Sequence, residues 1–235
     1  MRNLPAFLSL LLILGIAACS SFGGKDDKPA DEAVDVLYNK ATSALAKKDY
    51  VTATKAFEEV ERQHPYSQWA TQSQLMAAYS SYLGQQYDEA IASLDRFIEL
   101  HPGNKDVAYA HYLKSLCYYE QISDVARDQA MTHNALDSFN SLINRFPDSE
   151  YTRDATLKRD LTLDHLAGKE MEIGRYYLHR GEVNAAINRF RTVVTDYQTT
   201  THVAEALHRL VESYLTLGLK DEATHIAAVL GYNYP

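Results

Sequence analysis

The chain has no excess of positive charge: 23 lysines and arginines stand against 31 aspartates and glutamates, a formal net charge of −8. Without a basic cluster it is a poor ligand for nucleic acid, because neutralising phosphates supplies most of that affinity. Catalytic signatures are equally scarce. There is no Gly-x-Ser-x-Gly, no His-Glu-x-x-His and no glycine-rich phosphate loop, so the hydrolase, zinc-protease and nucleotide-binding classes that depend on them find no support. No segment alternates apolar and polar residues long enough to suggest a sheet. One long apolar run exists, from Leu4 to Ile16, and it is too short to cross a bilayer as a helix.

What is present begins with that run. Arg2 supplies a short positive start, Leu8 to Ile16 an apolar stretch, and Ile16-Ala17-Ala18-Cys19 places small residues directly before a cysteine, the pattern of a cleaved secretory signal. The segment resembles the signal of bacterial lipoproteins. That resemblance implies removal of residues 1–18, a thioether-linked diacylglycerol and an acylated amino group on Cys19, and no other cofactor. Several acyl chains, at about 0.8 kcal/mol per buried methylene, hold where one would be marginal. Ser20 after the cysteine, rather than an aspartate, implies the outer membrane, with the body facing the periplasm. Cys117 is then left with no disulfide partner; among Leu113, Leu116 and Tyr118 it reads as a small buried residue rather than a reactive thiol. Residues 20–31 (SSFGGKDDKPAD) lack apolar periodicity and read as a tether with a reach of about 20 Å.

The remainder, residues 32–235, is expected to be all α. Its composition, 46% hydrophobic and 23% charged over the whole chain, is that of a globular protein. Self-similarity then emerges: Ala53, Ala90, Ala135, Ala186 and Ala223 each stand twelve positions before Pro65, Pro102, Pro147, Gln198 and Pro235. Four positions after the alanines come Phe57, Leu94, Phe139, Phe190 and Ala227, and twelve before them Ala41, Ala78, Ser115, Gly174 and Val211. This pattern resembles the tetratricopeptide repeat, in which an alanine admits a close helix approach, an aromatic fills the gap beside it and a proline ends the helix. Five repeats are expected, over approximately 32–65, 66–102, 103–147, 148–198 and 199–235, forming a superhelical solenoid. Gly84, Gly181 and Gly218 should supply left-handed residues at the turns. The longer steps of 45 and 51 residues between successive alanines place an insertion around residues 122–131. They also imply a lengthened helix from about Tyr151 towards Ala167, before the fourth repeat opens near Glu170.

In tetratricopeptide families the first helix of each repeat lines a concave surface. The same register here selects Tyr38, Tyr79, Tyr82, Tyr109, Tyr112 and Tyr119 in the first half, and Arg175, Glu205, His208 and Glu212 in the second. With Tyr66 and Trp69 at its entrance, the tyrosine-lined part suits extended apolar or aromatic segments. The polar part, with Arg189 and Arg191, suits a folded partner. Three Glu-x-x-His spacings, Glu61 with His64, Glu205 with His208 and Glu222 with His225, differ in repeat register and are expected to bind no metal.

The strings His64-Pro65-Tyr66-Ser67, Leu94-Asp95-Arg96-Phe97-Ile98, Pro147-Asp148-Ser149-Glu150-Tyr151 and Ala185-Ala186-Ile187-Asn188-Arg189-Phe190, in this order behind the lipoprotein signal, resemble the ComL-type, or BamD, family of outer-membrane assembly lipoproteins. The resemblance implies a non-catalytic subunit of the β-barrel assembly machinery. Its first repeats would receive unfolded outer-membrane proteins, and its last repeats would dock on the POTRA domains of the barrel-forming subunit BamA, beside other Bam lipoproteins. Arg189 is carried over from a family arginine implicated in that coupling. The alternative is a tetratricopeptide lipoprotein adaptor that regulates peptidoglycan synthesis or envelope constriction. A wall-cleaving enzyme would need paired carboxylates, for which Glu205 and Glu212 are the nearest candidates.

Overall fold

Among the described residues ten helices follow one another in antiparallel pairs: α1 (Val34–Ala46) with α2 (Tyr50–Gln63), α3 (Gln68–Leu83) with α4 (Tyr87–Leu100), α5 (Val107–Tyr119) with α6 (Ala130–Arg145), α7 (Thr152–His179) with α8 (Val183–Asp196), and α9 (Val203–Thr216) with α10 (Lys220–Asn233). The computed structural model describes residues 32–235, and among these there is no strand; the expected signal peptide, Cys19 and the tether lie outside the described residues. The architecture is the all-α tetratricopeptide solenoid.

Each pair is built on the spacing seen in the sequence. Ala53, Ala90, Ala135, Ala186 and Ala223 are all buried, as are Phe57, Leu94, Phe139 and Phe190 four residues on. Burying such a side chain contributes roughly 2 kcal/mol. Ala227, the fifth in that series, is instead exposed, because no described helix follows α10 to cover it. Of the small residues in the first helices, Ala41, Ala78, Ser115 and Gly174 are buried, while the bulkier Val211 is only half-buried. Gly174 shows the constraint most sharply: a Cβ there would lie 2.4 Å from Cε1 of Phe190.

Every second helix stops at the same place. His64, His101, Phe146, Tyr197 and Tyr234 close α2, α4, α6, α8 and α10 with φ between −122° and −134° and positive ψ. A following proline drives its predecessor out of the helical region. Gln198 follows Tyr197 with the same geometry, so proline is not required for it there.

The turns inside the pairs revise one expectation. Lys48, Gln85, Gly181 and Gly218 take the left-handed conformation, with φ from 59° to 77°. Each sits inside a turn in which the amide three residues past the helix reaches back to a carbonyl five residues earlier, as from Asp49 to Ala44 and from Glu182 to Tyr177. Gly84 is therefore not the left-handed residue of its turn; its φ is −78°. It is glycine for space, since a Cβ would meet Cβ of Tyr50 at 3.2 Å.

The two long steps also resolve. Residues 120–129 connect α5 to α6 and are ordered by their own carboxylates: Asp124 accepts from the Ala126 amide at 2.8 Å and Asp128 from the Ala130 amide at 3.0 Å. The second lengthening gives one continuous helix, α7, rather than a helix ending near Ala167 and another opening near Glu170. Gly168 does not break it. Its bare Cα lets His202 and Val125 approach, and a Cβ there would be 3.2 Å from Nε2 of His202 and 3.5 Å from Cγ1 of Val125.

The core is a chain of clusters rather than one centre. Phe57 and Ala77 join α2 to α3; Leu94 and Leu113 join α4 to α5; Phe139 and Ala155 join α6 to α7; Phe190 and Leu207 join α8 to α9. Consecutive helices carry the packing, and neighbouring first helices touch, α1 with α3, α3 with α5 and α5 with α7.

Gly174→Ala should therefore destabilise the protein. An alanine would bring about 1 kcal/mol of helix propensity, but overpacking against a buried ring costs about 1–3 kcal/mol. A net loss of about 1–2 kcal/mol is expected, read as a lower urea midpoint of the helical circular dichroism signal.

Candidate functional site

The first helices of the second and third pairs bring tyrosines together. Tyr79 and Tyr82 lie one turn apart on α3, and Tyr109 and Tyr112 one turn apart on α5; all four are half-buried, their inner edges packed on the hydrophobic clusters. Tyr151, just before α7, completes the group. Its ring stacks on Tyr112 at 5.2 Å and tilts against Tyr109 at 5.4 Å. Tyr82 meets Tyr87 of α4 at 6.0 Å. The Tyr112 hydroxyl donates to Asp154, which also pairs with Lys158 at 2.9 Å.

Burial dominates the chemistry of these phenols. It pushes Tyr82 up to about 12 and Tyr109 higher still, helped by neighbouring tyrosines. Tyr112 is likewise raised, first by burial and then by its bond to Asp154, and that same bond holds the Asp154 carboxyl below its ordinary range. The result is a neutral aromatic surface with hydroxyls at its edge, suited to apolar side chains and to the backbone groups of an extended chain.

Three further candidates sit apart from this group. Tyr66 is fully exposed in the turn before α3. Trp69 is half-buried on Tyr38, ring centroids 4.6 Å apart. Tyr119 packs edge-on to Phe139 at 6.0 Å, beneath the Lys158 ammonium at 5.9 Å; Lys158 thus links it to Asp154. Sequence register missed Tyr151, Tyr87 and Asp154, which belong to a turn, a second helix and a helix extension. The one signal for Tyr151 was its place directly after Pro147-Asp148-Ser149-Glu150.

The second half is a lattice of ion pairs. Arg175 on α7 reaches both carboxylate oxygens of Glu205 on α9 at 3.2 Å. Arg209 lies 3.5 Å from Glu205 and 2.9 Å from Glu212, and His208 stands 3.8 Å from Glu212. Arg189 on α8 instead binds Glu170 on α7 at 3.0 and 3.3 Å. Glu170 and Arg175 are five residues apart, about 140° around the helix, so Arg175 and Arg189 do not share a face. Arg191 is exposed and has no ion pair among the described residues.

Glu205 and Glu212 are thus each engaged by Arg209. Glu61 is occupied as well, accepting from Gln74 and Arg96 at 2.6 and 2.9 Å. Among the described residues no group of three or more His, Cys, Asp or Glu is arranged to hold a metal ion. Cys117 is fully buried, and that burial pushes its thiol up to about 12, as a structural rather than reactive cysteine requires.

The family described as YfiO, outer membrane lipoprotein, matches residues 30–229. Proteins named outer membrane protein assembly factor BamD are similar along the whole chain. That of Caulobacter vibrioides is 49% identical, covering 100% of this chain and 77% of its own. That of Rickettsia prowazekii is 49% identical, covering 99% and 93%, and that of Neisseria meningitidis serogroup A 35% identical, covering 97% and 90%. Among solved structures, the TPR domain of P58(IPK) aligns with a TM-score of 0.47 at 15% identity, over 84% of this chain and 50% of that one.

Tyr82, Tyr109 and Tyr112 have folded-state values above the ordinary 10.0. Their contribution to stability is fully present below pH 10 and lost as the pH rises through the folded values. A spectrophotometric titration should show a late tyrosinate fraction that appears with unfolding, and Tyr109→Phe with Tyr112→Phe should shrink it. A single early titration step complete near pH 10 would contradict the burial.

Proposed function

Because the chain belongs to the YfiO family of outer membrane lipoproteins, we propose that it serves as a lipid-anchored assembly factor for outer-membrane β-barrel proteins. The observation that carries this reading is the 49% identity, over the full chain, to proteins named for that role. On the same reading Cys19 bears the lipid and the solenoid faces the periplasm. It acts without catalysis, by holding and passing on chains.

The tyrosine surface is the proposed receiving site. Tyr79, Tyr82, Tyr109 and Tyr112, with Tyr119 beyond them and Tyr66 and Trp69 nearer the first pair, would hold the aromatic-rich terminal strand of an unfolded barrel protein. Tyrosines supply contact area at low entropy cost. Their half-buried rings, with the hydroxyls of Tyr79, Tyr82 and Tyr109 not committed to Asp154 as that of Tyr112 is, support a reversible grip. Replacing Tyr79, Tyr82 and Tyr112 together by alanine should weaken binding of such peptides at least tenfold in fluorescence anisotropy. Unchanged affinity would refute the site.

Docking to the POTRA domains of a barrel-forming subunit BamA, within a complex holding other Bam lipoproteins, is assigned to the last two pairs, with Arg175, Arg189 and Arg191 as contacts. Arg191 is available as it stands. Arg189 would have to exchange or share Glu170, which calls for a controlled test. Arg189→Glu alone sets two carboxylates against each other, whereas Arg189→Glu with Glu170→Arg keeps an internal pair. If Arg189 docks, the swapped protein keeps its thermal stability yet recovers less of the barrel subunit in a mild-detergent pull-down. Full recovery by the swap would reduce Arg189 to a structural role.

A further inference from the structure

The start of α7 leans on the tyrosine surface. Tyr151, Asp154 and Lys158 recur at steps of three and four residues, on one side of the helix, and all three meet tyrosines of α5. The Tyr151 ring lies nearly parallel to that of Tyr112, centroids 5.2 Å apart and planes 21° apart, and also tilts against Tyr109. Oδ2 of Asp154 accepts the Tyr112 hydroxyl. The Lys158 ammonium spans that carboxylate, 2.9 Å from Oδ2 and 3.1 Å from Oδ1, and stands over the ring of Tyr119 at 5.9 Å. Tyr112 is therefore held twice, by its face and by its hydroxyl, and both holds come from the next pair.

A hold of this kind fixes more than position. A phenol has one hydrogen to give and lone pairs to accept with. Hydrogen bonds to a carboxylate are about twice as strong as neutral ones, so the Tyr112 hydrogen stays on Asp154 and only a lone pair is left for a visiting chain. Asp154 commits Tyr112 alone; Tyr79, Tyr82 and Tyr109 keep hydroxyls that can donate as well as accept. The clamp is also within reach of solvent, with the Asp154 side chain 46% exposed. It sits at the rim of the surface rather than beneath it.

We infer that Asp154 is a positioning residue of the receiving surface: it locks the Tyr112 ring against Tyr151 and makes Tyr112 a fixed acceptor for a backbone N–H of the bound strand. The inference rests on the reading of the tyrosine surface given above and adds a chemical demand to it. An extended chain presents N–H and C=O groups in alternation along each edge, so a fixed acceptor favours the registers that bring an N–H to it. A residue without that hydrogen, such as proline, is rejected there. Lys158 serves the same end by keeping the carboxylate in place.

The test is a mutant cycle on a short fluorescein-labelled peptide, alternating apolar and polar residues and ending in phenylalanine, read by fluorescence anisotropy. Asp154→Ala should weaken binding about tenfold, the worth of one hydrogen bond, with little change in melting temperature because the pair it breaks is partly exposed. Asp154→Asn, which keeps an acceptor oxygen for the Tyr112 hydroxyl, should bind within about twofold of wild type. In a Tyr112→Phe background Asp154→Ala should cost nothing further, since it acts through that hydroxyl. Methylating the peptide's backbone nitrogens one at a time should reveal one amide whose methylation weakens binding to the wild type and not to Tyr112→Phe, a signature that lost packing alone does not give. Wild-type affinity in Asp154→Ala, an Asp154→Asn variant as weak as the alanine one, a fully additive loss on top of Tyr112→Phe, or no amide whose methylation depends on Tyr112 would overturn the proposal. The variant with Tyr79, Tyr82 and Tyr112 all changed to alanine separates the two levels. If it weakens binding while Asp154→Ala does not, only the role of Asp154 falls; if it too leaves binding unchanged, the receiving surface falls with it.

Discussion

A close approach repeated between paired helices underlies the whole molecule: a small residue in the first helix leaves room for the side chain that the second helix sends inward. At Gly174 and Phe190 the clearance is smaller than any side chain, and Ala41, Ala78 and Ser115 hold the corresponding positions earlier in the chain. Helix spacing follows from that clearance, and so does the direction in which each first helix presents its free face. The tyrosines of α3 and α5 share one surface because their parent helices are held side by side by buried alanines and leucines. The aromatic surface is thus a by-product of how the small residues are spaced.

Much of this was legible because burial recurs with a period. The alanines, the apolar residues four beyond them and the terminators twelve beyond them predict the pairs, and Gln198 keeps its place although it is not proline. Turn chemistry was less legible. A glycine can answer to space as well as to dihedral angle, and at Gly84 it answers to Tyr50 while Gln85 takes the strained conformation. The continuity of α7 was hidden because the 51-residue step shows only that length was added, not that helix runs through it; the structure shows Gly168 inside one helix with His202 and Val125 against it.

The candidate sites were legible in residue type and less so in partnership. Register selects Tyr79, Tyr82, Tyr109 and Tyr112, but the ring that stacks on two of them, Tyr151, lies in a turn with no register. Likewise a sequence displays Arg175 and Arg189 as neighbouring cations, whereas helix geometry aims them at Glu205 and Glu170 on different sides. Charged side chains are long and take their partners from whichever helix stands nearest, which only the packing decides. Exposed pairs of this kind contribute little to stability, so they can be exchanged for intermolecular pairs at small cost.

In a stack whose helices touch mainly their neighbours, strain at one joint fades over the next, and the stack flexes like a strip of linked plates. The α5–α6 connection departs from that rule. Val125 leaves the third pair to rest beside Gly168 of the fourth, where His202 arrives from the fifth. Three successive pairs thus meet at one glycine, and bending them relative to one another must first prise Val125 and His202 off Gly168. The first two pairs carry no such insertion, so the end that holds Tyr38 and Trp69 has no counterpart to this contact.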